Sequence, residues 1–273
     1  STRIELISGE PVARVRFTSD RGVQLFSAAV RHRLGEVLDE LEGLPRCRVV
    51  VFEASGRTFI AGADIHELRT LNVTTARELA AAGQALMNRI AALPAVTIAA
   101  VHAACAGGGC ELALACDLRM AARAARIGLP EVSLGVIPGW GGTVRAVRLF
   151  GGAAARRLIL TGELLPAEEA LRLGIVDSLA ADDAFRERVE ERVQLLLSRG
   201  PAACRHSKRL IAAFEGGAAG GPPAAVGPKT ATGRPPLATD FESEAVAFGE
   251  CFASGEAAEG LAAFLEKRPA VWT

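Results

Sequence analysis

The chain has 273 residues, half of them apolar, and its 31 basic and 31 acidic side chains cancel to a formal charge of zero. That balance, with lysine only at Lys208, Lys229 and Lys267, argues against a basic footprint for nucleic acid or an anionic membrane surface. Six cysteines include no C-x-x-C pair and no histidine at zinc-ligand spacing, so free thiols and no metal site are expected. No signal peptide is expected from Ser1-Thr2-Arg3, and the setting expected is reducing and cytoplasmic.

Residues 3–18 alternate loosely (Ile4, Leu6; then Val12, Val15, Phe17) around Ser8-Gly9-Glu10-Pro11, which predicts two strands joined by a turn. Over 27–42, Ala28, Val30, Leu34, Val37, Leu38 and Leu41 recur at helical spacing, with Ser27 as the N-cap. Residues 47–54 (CRVVVFEA) form a short apolar run of the buried-strand type. Ser55-Gly56-Arg57 then leads into Phe59-Ile60-Ala61-Gly62-Ala63-Asp64. A helix is expected over 75–93 with Leu79, Leu86, Ile90 and Leu93 inward, ended by Pro94. Strand, helix and strand in succession predict a parallel sheet covered on both faces.

Residues 97–116 read as a buried strand, a tight turn at Gly107-Gly108-Gly109 and a helix. The run 93–110 is apolar enough to suggest a membrane span, but Pro94 and the three glycines interrupt it, and no membrane association is expected. Glycines at a helix start allow close approach to the backbone, and the unpaired N–H groups there carry positive partial charge, so the turn suits an oxyanion. Two carboxylates frame it: Glu111 in the first turn of the helix, and Glu131 after Pro130 in an apolar run. Taken singly, the first is a helix-dipole partner and the second a surface acid. Together with the glycine turn and the FIAGAD segment they become a candidate site. Neither glycine-rich piece is a nucleotide loop, because GGGCEL lacks the third glycine of G-x-G-x-x-G and GWGGT lacks the P-loop lysine.

Pro166 and Gly174 bracket a helix over 166–173 whose Glu168, Glu169 and Arg172 form a solvated face. Amphipathic helices are expected over 182–199 and 201–214. Residues 216–239, rich in Gly, Pro and Ala, predict a flexible or extended loop. Beyond it, Val246, Phe248, Phe252, Leu261, Phe264 and Leu265 return to helix-like spacing over 242–269. The domain organisation expected is a core over 1–200 and a C-terminal helical region over 201–273 carrying the 216–239 insertion.

Four motifs in order, FIAGAD, AGGGCEL, PEVSLGVIPGWGGT and LTGELLPAEEALRLGIVD, resemble the enoyl-CoA hydratase (crotonase) family. The likeness runs from about residue 13 to the C-terminus, the insertion excepted. It implies an α/β fold, a crotonase-like spiral of ββα units with a C-terminal helical trimerisation region, assembled as a homotrimer or homohexamer. It also implies the reaction, addition of water across the 2,3 double bond of a 2-enoyl-CoA thioester to give 3-hydroxyacyl-CoA. By motif position the thioester oxygen is held by the backbone N–H groups of Ala63 and Gly108, and the catalytic pair is Glu111 and Glu131. Substrate or CoA contacts are implied at Ala61, Asp64, Ile65, Gly107, Gly109 and Trp140. Phe248 and Phe264 match aromatics that wall the acyl pocket, and Lys267 matches a cation near the CoA. No cofactor is implied, since CoA arrives as part of the substrate. The chain departs from the family at Ala103, where glycine is usual, and at His66, where relatives often carry lysine. The alternatives within the family are enoyl-CoA isomerisation, decarboxylation and thioester hydrolysis; outside it, an RNA-binding or non-catalytic assembly subunit. The presence of both glutamates favours hydration.

Overall fold

A computed structural model describes the backbone of residues 1–216 and 238–272, and the side chains of residues 1–214 and 244–272. The loop expected over 216–239 falls, apart from its ends, outside the described residues. The chain divides into two compact units, Ser1–Glu191 and Arg192–Thr273, where a boundary at 200 was expected.

In the first unit β1 (Thr2–Gly9) and β2 (Val12–Ser19) pair antiparallel from Thr2↔Ser19 to Gly9↔Val12, and β2 turns its alternate residues Ala13, Val15 and Phe17 into the core. Helix α1 (Ala28–Glu42) starts at Ser27, whose hydroxyl accepts from Val30 N–H, and buries Val30, Leu34, Val37, Leu38 and Leu41. Ala28, placed inward by spacing alone, lies on the exposed side of the first turn.

Strands β3 (Val49–Ala54), β5 (Val96–Val101), β7 (Leu118–Ala122) and β10 (Ser178–Ala180) extend the sheet in parallel, giving six strands in the order β1-β2-β3-β5-β7-β10. A second sheet of four short strands has the order β4-β6-β8-β9, formed by β4 (Thr58–Ile60), β6 (Ala104–Ala106), β8 (Arg126–Gly128) and β9 (Leu165–Pro166). The implied repeat is therefore present. The pairs β3-β4, β5-β6 and β7-β8 each place one strand in the large sheet and the next in the small one, and a helical segment follows each time.

Those segments carry the differences from expectation. After the short α2 (Ile65–Leu68) comes α3 (Val73–Ala92), which starts two residues early because Asn72 and Thr75 form a capping box. Its fully buried face is Gly83, Met87 and Ile90, while Leu86 packs at the edge of the core. Helix α4 (Gly108–Ala115) follows β6 and is buried along its whole length. A 3-10 turn (Pro130–Leu134) precedes α5 (Gly142–Thr161), which sequence pattern did not announce and which is kinked at Gly151, φ 80°. Helix α6 (Ala167–Arg172) takes Pro166 as its N-cap, one residue outside the position expected. Glu169, on its solvated face, pairs with both Arg157 and Arg172. Helix α7 (Phe185–Leu197) leads out of the unit.

The second unit contains α8 (Pro201–Gly216), α9 (Ala238–Ala253) and α10 (Glu256–Glu266). The periodic stretch at the C-terminus is thus two helices, broken at Gly255, whose φ of 81° suits glycine. Glu256 ties α10 to the start of α8 by accepting from Ala202 N–H at 2.8 Å.

Candidate active site

The site is built where β6 meets α4. Gly107 turns the chain with φ 55° while its N–H donates to Gly128 O at 3.1 Å, so the first N–H groups of α4 emerge from a backbone fixed to β8. Gly108 opens the helix, and its N–H has no partner within it. Gly109 is required by packing: a Cβ there would lie 2.3 Å from Ile60 O. Across the turn, Phe26 N–H donates to Gly62 O and Phe26 O accepts from Asp64 N–H, a parallel bridge that leaves the intervening Ala63 N–H on the opposite side of its strand. Ala63 and Gly108 line one cavity of about 1070 Å³, together with Ala61, Ile65, Gly107, Glu111, Glu131 and Trp140.

Glu111 projects one turn into α4 and is 2% exposed. Its Oε1 accepts from Trp140 N–H at 2.7 Å and from Gly142 N–H at 2.8 Å. It is therefore more than a helix-dipole partner: it is anchored to the loop before α5. Burial raises its pKa, while the two N–H donors and the Arg145 guanidinium oppose that rise. Glu131 stands differently. Its Oε2 is buried with no hydrogen-bond partner, and burial, with a contribution from the Glu111 charge, pushes its pKa up to about 7. One carboxylate is thus pinned by donors and the other is poised to hold a proton at neutral pH. Two backbone N–H groups and two carboxylates held differently around one cavity are groups that can stabilise an oxyanion and move two protons.

The remaining residues singled out by sequence are distributed as follows. Asp64 caps α2, its Oδ1 accepting from His66 N–H at 2.9 Å. Neither Asp64 nor Gly109 is among the residues that line the cavity. In the second unit Phe248 lines a different, apolar cavity of about 740 Å³, Phe264 is 81% exposed, and Lys267 ends α10 with φ 52°.

Sequence reasoning passed over Gly83 and Arg145. Arg145 donates to Trp140 O at 2.9 Å and to Asn88 Oδ1 at 2.6 Å, which straps the Trp140 loop to α3. Gly83 carried a signal, a glycine in the interior of an Ala-rich helix, where it costs about 1 kcal/mol relative to alanine and calls for a packing reason. Arg145 carried none, because its partners are set by tertiary contact. No group of three or more His, Cys, Asp or Glu among the described residues is placed to hold a metal, and no helix there is long and apolar enough to cross a membrane.

A spiral of ββα units with an N–H pair and two acids at the β6–α4 turn defines a crotonase-type protein. The chain belongs to the enoyl-CoA hydratase/isomerase family, whose model matches residues 8–220. It is 39% identical over 231 residues to crotonyl-CoA hydratase of Syntrophomonas wolfei, covering 83% of this chain and 80% of that protein. It is 33% identical over 258 residues to short-chain-enoyl-CoA hydratase of Clostridium acetobutylicum, covering 94% and 92%. The fold matches the crystal structure of enoyl-CoA hydratase from Bacillus anthracis with a TM-score of 0.86 at 31% identity, covering 98% of each chain.

Proposed function

We propose that the protein is an enoyl-CoA hydratase that adds water across the 2,3 double bond of a 2-enoyl-CoA thioester. The observation that carries this reading is the asymmetry of the two glutamates in one cavity, Glu111 held by the N–H groups of Trp140 and Gly142 and Glu131 with a buried, unpartnered Oε2 and a pKa pushed up to about 7. The N–H groups of Ala63 and Gly108 take the thioester oxygen, where negative charge develops as the nucleophile adds. Losing one such donor typically costs about 10²–10³ in rate. Glu111 orients a water and accepts its proton as the oxygen bonds to C3. Glu131 delivers a proton to C2, so the double bond is lost with net uptake of one water. The reaction needs no cofactor beyond the CoA of the substrate. The names of the S. wolfei and C. acetobutylicum relatives support the same reading and point to a short acyl chain.

The six free thiols suit a reducing compartment, and the cytoplasm is the setting we assign. A homotrimer or homohexamer is the assembly, because the second unit exposes Phe248, Phe264 and Leu265.

The test is turnover of crotonyl-CoA, followed by loss of the conjugated enoyl absorbance and by product mass. Wild type should form 3-hydroxybutyryl-CoA, and Glu111→Gln and Glu131→Gln should each lower kcat by about 10²–10⁴-fold with modest change in KM. The double variant should lose far less than the product of the two, since the residues act as a unit. Near-normal hydration by Glu111→Gln would remove that residue from the mechanism. Conversion of a 3-enoyl-CoA without water uptake, and no hydration, would move the assignment to isomerase.

A further inference from the structure

Trp140 is held through both its backbone and its ring. Its N–H donates to Glu111 Oε1 at 2.7 Å, its carbonyl accepts from Arg145 at 2.9 Å, and its ring stands edge-on to Phe26 with centroids 5.1 Å apart. The rest of its seat consists of missing side chains. A Cβ on Gly83 would lie 2.1 Å from Trp140 Cδ1 and 2.3 Å from Nε1, and one on Gly108 would lie 2.8 Å from Cζ3. The pyrrole half of the indole therefore rests on Gly83 of α3 and the benzene half on Gly108 of α4. Only 5% of the residue is exposed, yet it lines the cavity that holds both glutamates. Gly108 supplies an N–H for the thioester oxygen and Glu111 lies one turn further along the same helix, so the ring borders the space that the first carbons beyond the carbonyl must enter.

We propose that Trp140, seated on Gly83, is the wall that restricts the acyl-binding space to short chains. The proposal rests on the hydratase reading and deepens it by assigning the chain-length determinant. The ring cannot swing toward α3 or α4, because both seats are in van der Waals contact, and a movement of its backbone would release Glu111. Selectivity then resides in a fixed wall rather than in a loop that opens for longer chains.

The experiment compares kcat/KM for crotonyl-CoA and 2-octenoyl-CoA in wild type, Trp140→Leu and Trp140→Ala. Truncation should raise the octenoyl-to-crotonyl ratio about tenfold or more, the scale on which a few methylenes are discriminated. An unchanged ratio in either folded variant would overturn the proposal. Trp140 and Trp272 are the two tryptophans of the chain, so a Trp272→Phe protein reports on Trp140 alone and needs no change in the wall itself. Butyryl-CoA should shift its emission and bind about tenfold or more tighter than octanoyl-CoA; equal binding, or emission that butyryl-CoA leaves untouched, would also overturn it. These saturated thioesters cannot be hydrated. A wild-type protein that binds them selectively but turns over no 2-enoyl-CoA would refute the hydratase reading and leave the wall standing.

Discussion

Glu131 is the residue whose protonation the fold controls most directly. Burial pushes its pKa up to about 7, its own backbone N–H opposes the rise, and the Glu111 charge adds a smaller contribution, while Oε2 is buried with no hydrogen-bond partner. In the proposed mechanism hydration requires Glu131 protonated and Glu111 ionised. The reverse reaction requires the opposite distribution of the same single proton. Since the overall reaction neither takes up nor releases protons, kcat/KM in both directions must follow one bell-shaped profile belonging to the pair. It should fall as pH rises through about 7, and fall again in acid as Glu111 protonates, at a pH lifted by burial above the ordinary carboxylate range. A rate that climbed steadily from about pH 6 to 9 would rule out Glu131 as the proton donor. The same shift bears on stability. A carboxyl whose folded pKa is raised contributes stability that is fully present below the unfolded value of 4.5 and is lost as pH rises through about 7. Glu131→Gln resembles the protonated form, so at about pH 8 it should unfold with roughly 1–3 kcal/mol more resistance than wild type, and at about pH 4 with no such advantage.

At the scale of elements, the site depends on how closely α4 lies against β4. Gly109→Ala would place a methyl 2.3 Å from Ile60 O and 2.6 Å from Ile60 Cβ, both of them groups that cannot rotate away. The helix must shift, at a cost of roughly 2–4 kcal/mol read from urea unfolding. Gly249, in α9, is the control: nothing lies within 4 Å of its missing Cβ, and alanine there should be neutral or stabilise by about 0.5–1 kcal/mol. Equal effects at the two positions would show that helix propensity rather than packing decides. Elements with a period were legible in sequence. β1 and β2 alternate, α1 carries five buried residues at helical spacing, and the three glycines mark the β6–α4 turn. Strands β4, β6, β8 and β9 have two or three residues each, too few for any period, and only the family resemblance implied them. Helix α5 was hidden by Gly151 and Gly152, which interrupt its pattern where the chain kinks. Both glutamates were legible through their motifs. The donors that pin Glu111 were not, because Trp140 and Gly142 reach it from 29 and 31 residues away through tertiary packing.

On the scale of the whole molecule the question is what covers the C-terminal unit. Within it Val246 is 57% exposed, Phe248 67%, Phe264 81% and Leu265 79%, an apolar surface on helices that otherwise pack against one another. Formal charge is zero, so no net repulsion opposes self-association. Exposed apolar side chains of this size suit a contact with another chain, and closed cyclic assemblies of identical subunits satisfy such a contact with one repeated patch. The protein should therefore sediment and scatter light as a trimer or hexamer at micromolar concentration. Phe264→Glu together with Leu265→Glu should shift it toward monomer, because charges at such positions cannot be buried unpaired. The two residues lie outside the first unit, so the pinning of Glu111 and the environment of Glu131 do not include them. A wild-type mass equal to one chain would show that this apolar surface is not an intersubunit contact, and a double variant with unchanged mass would place the contact on another face.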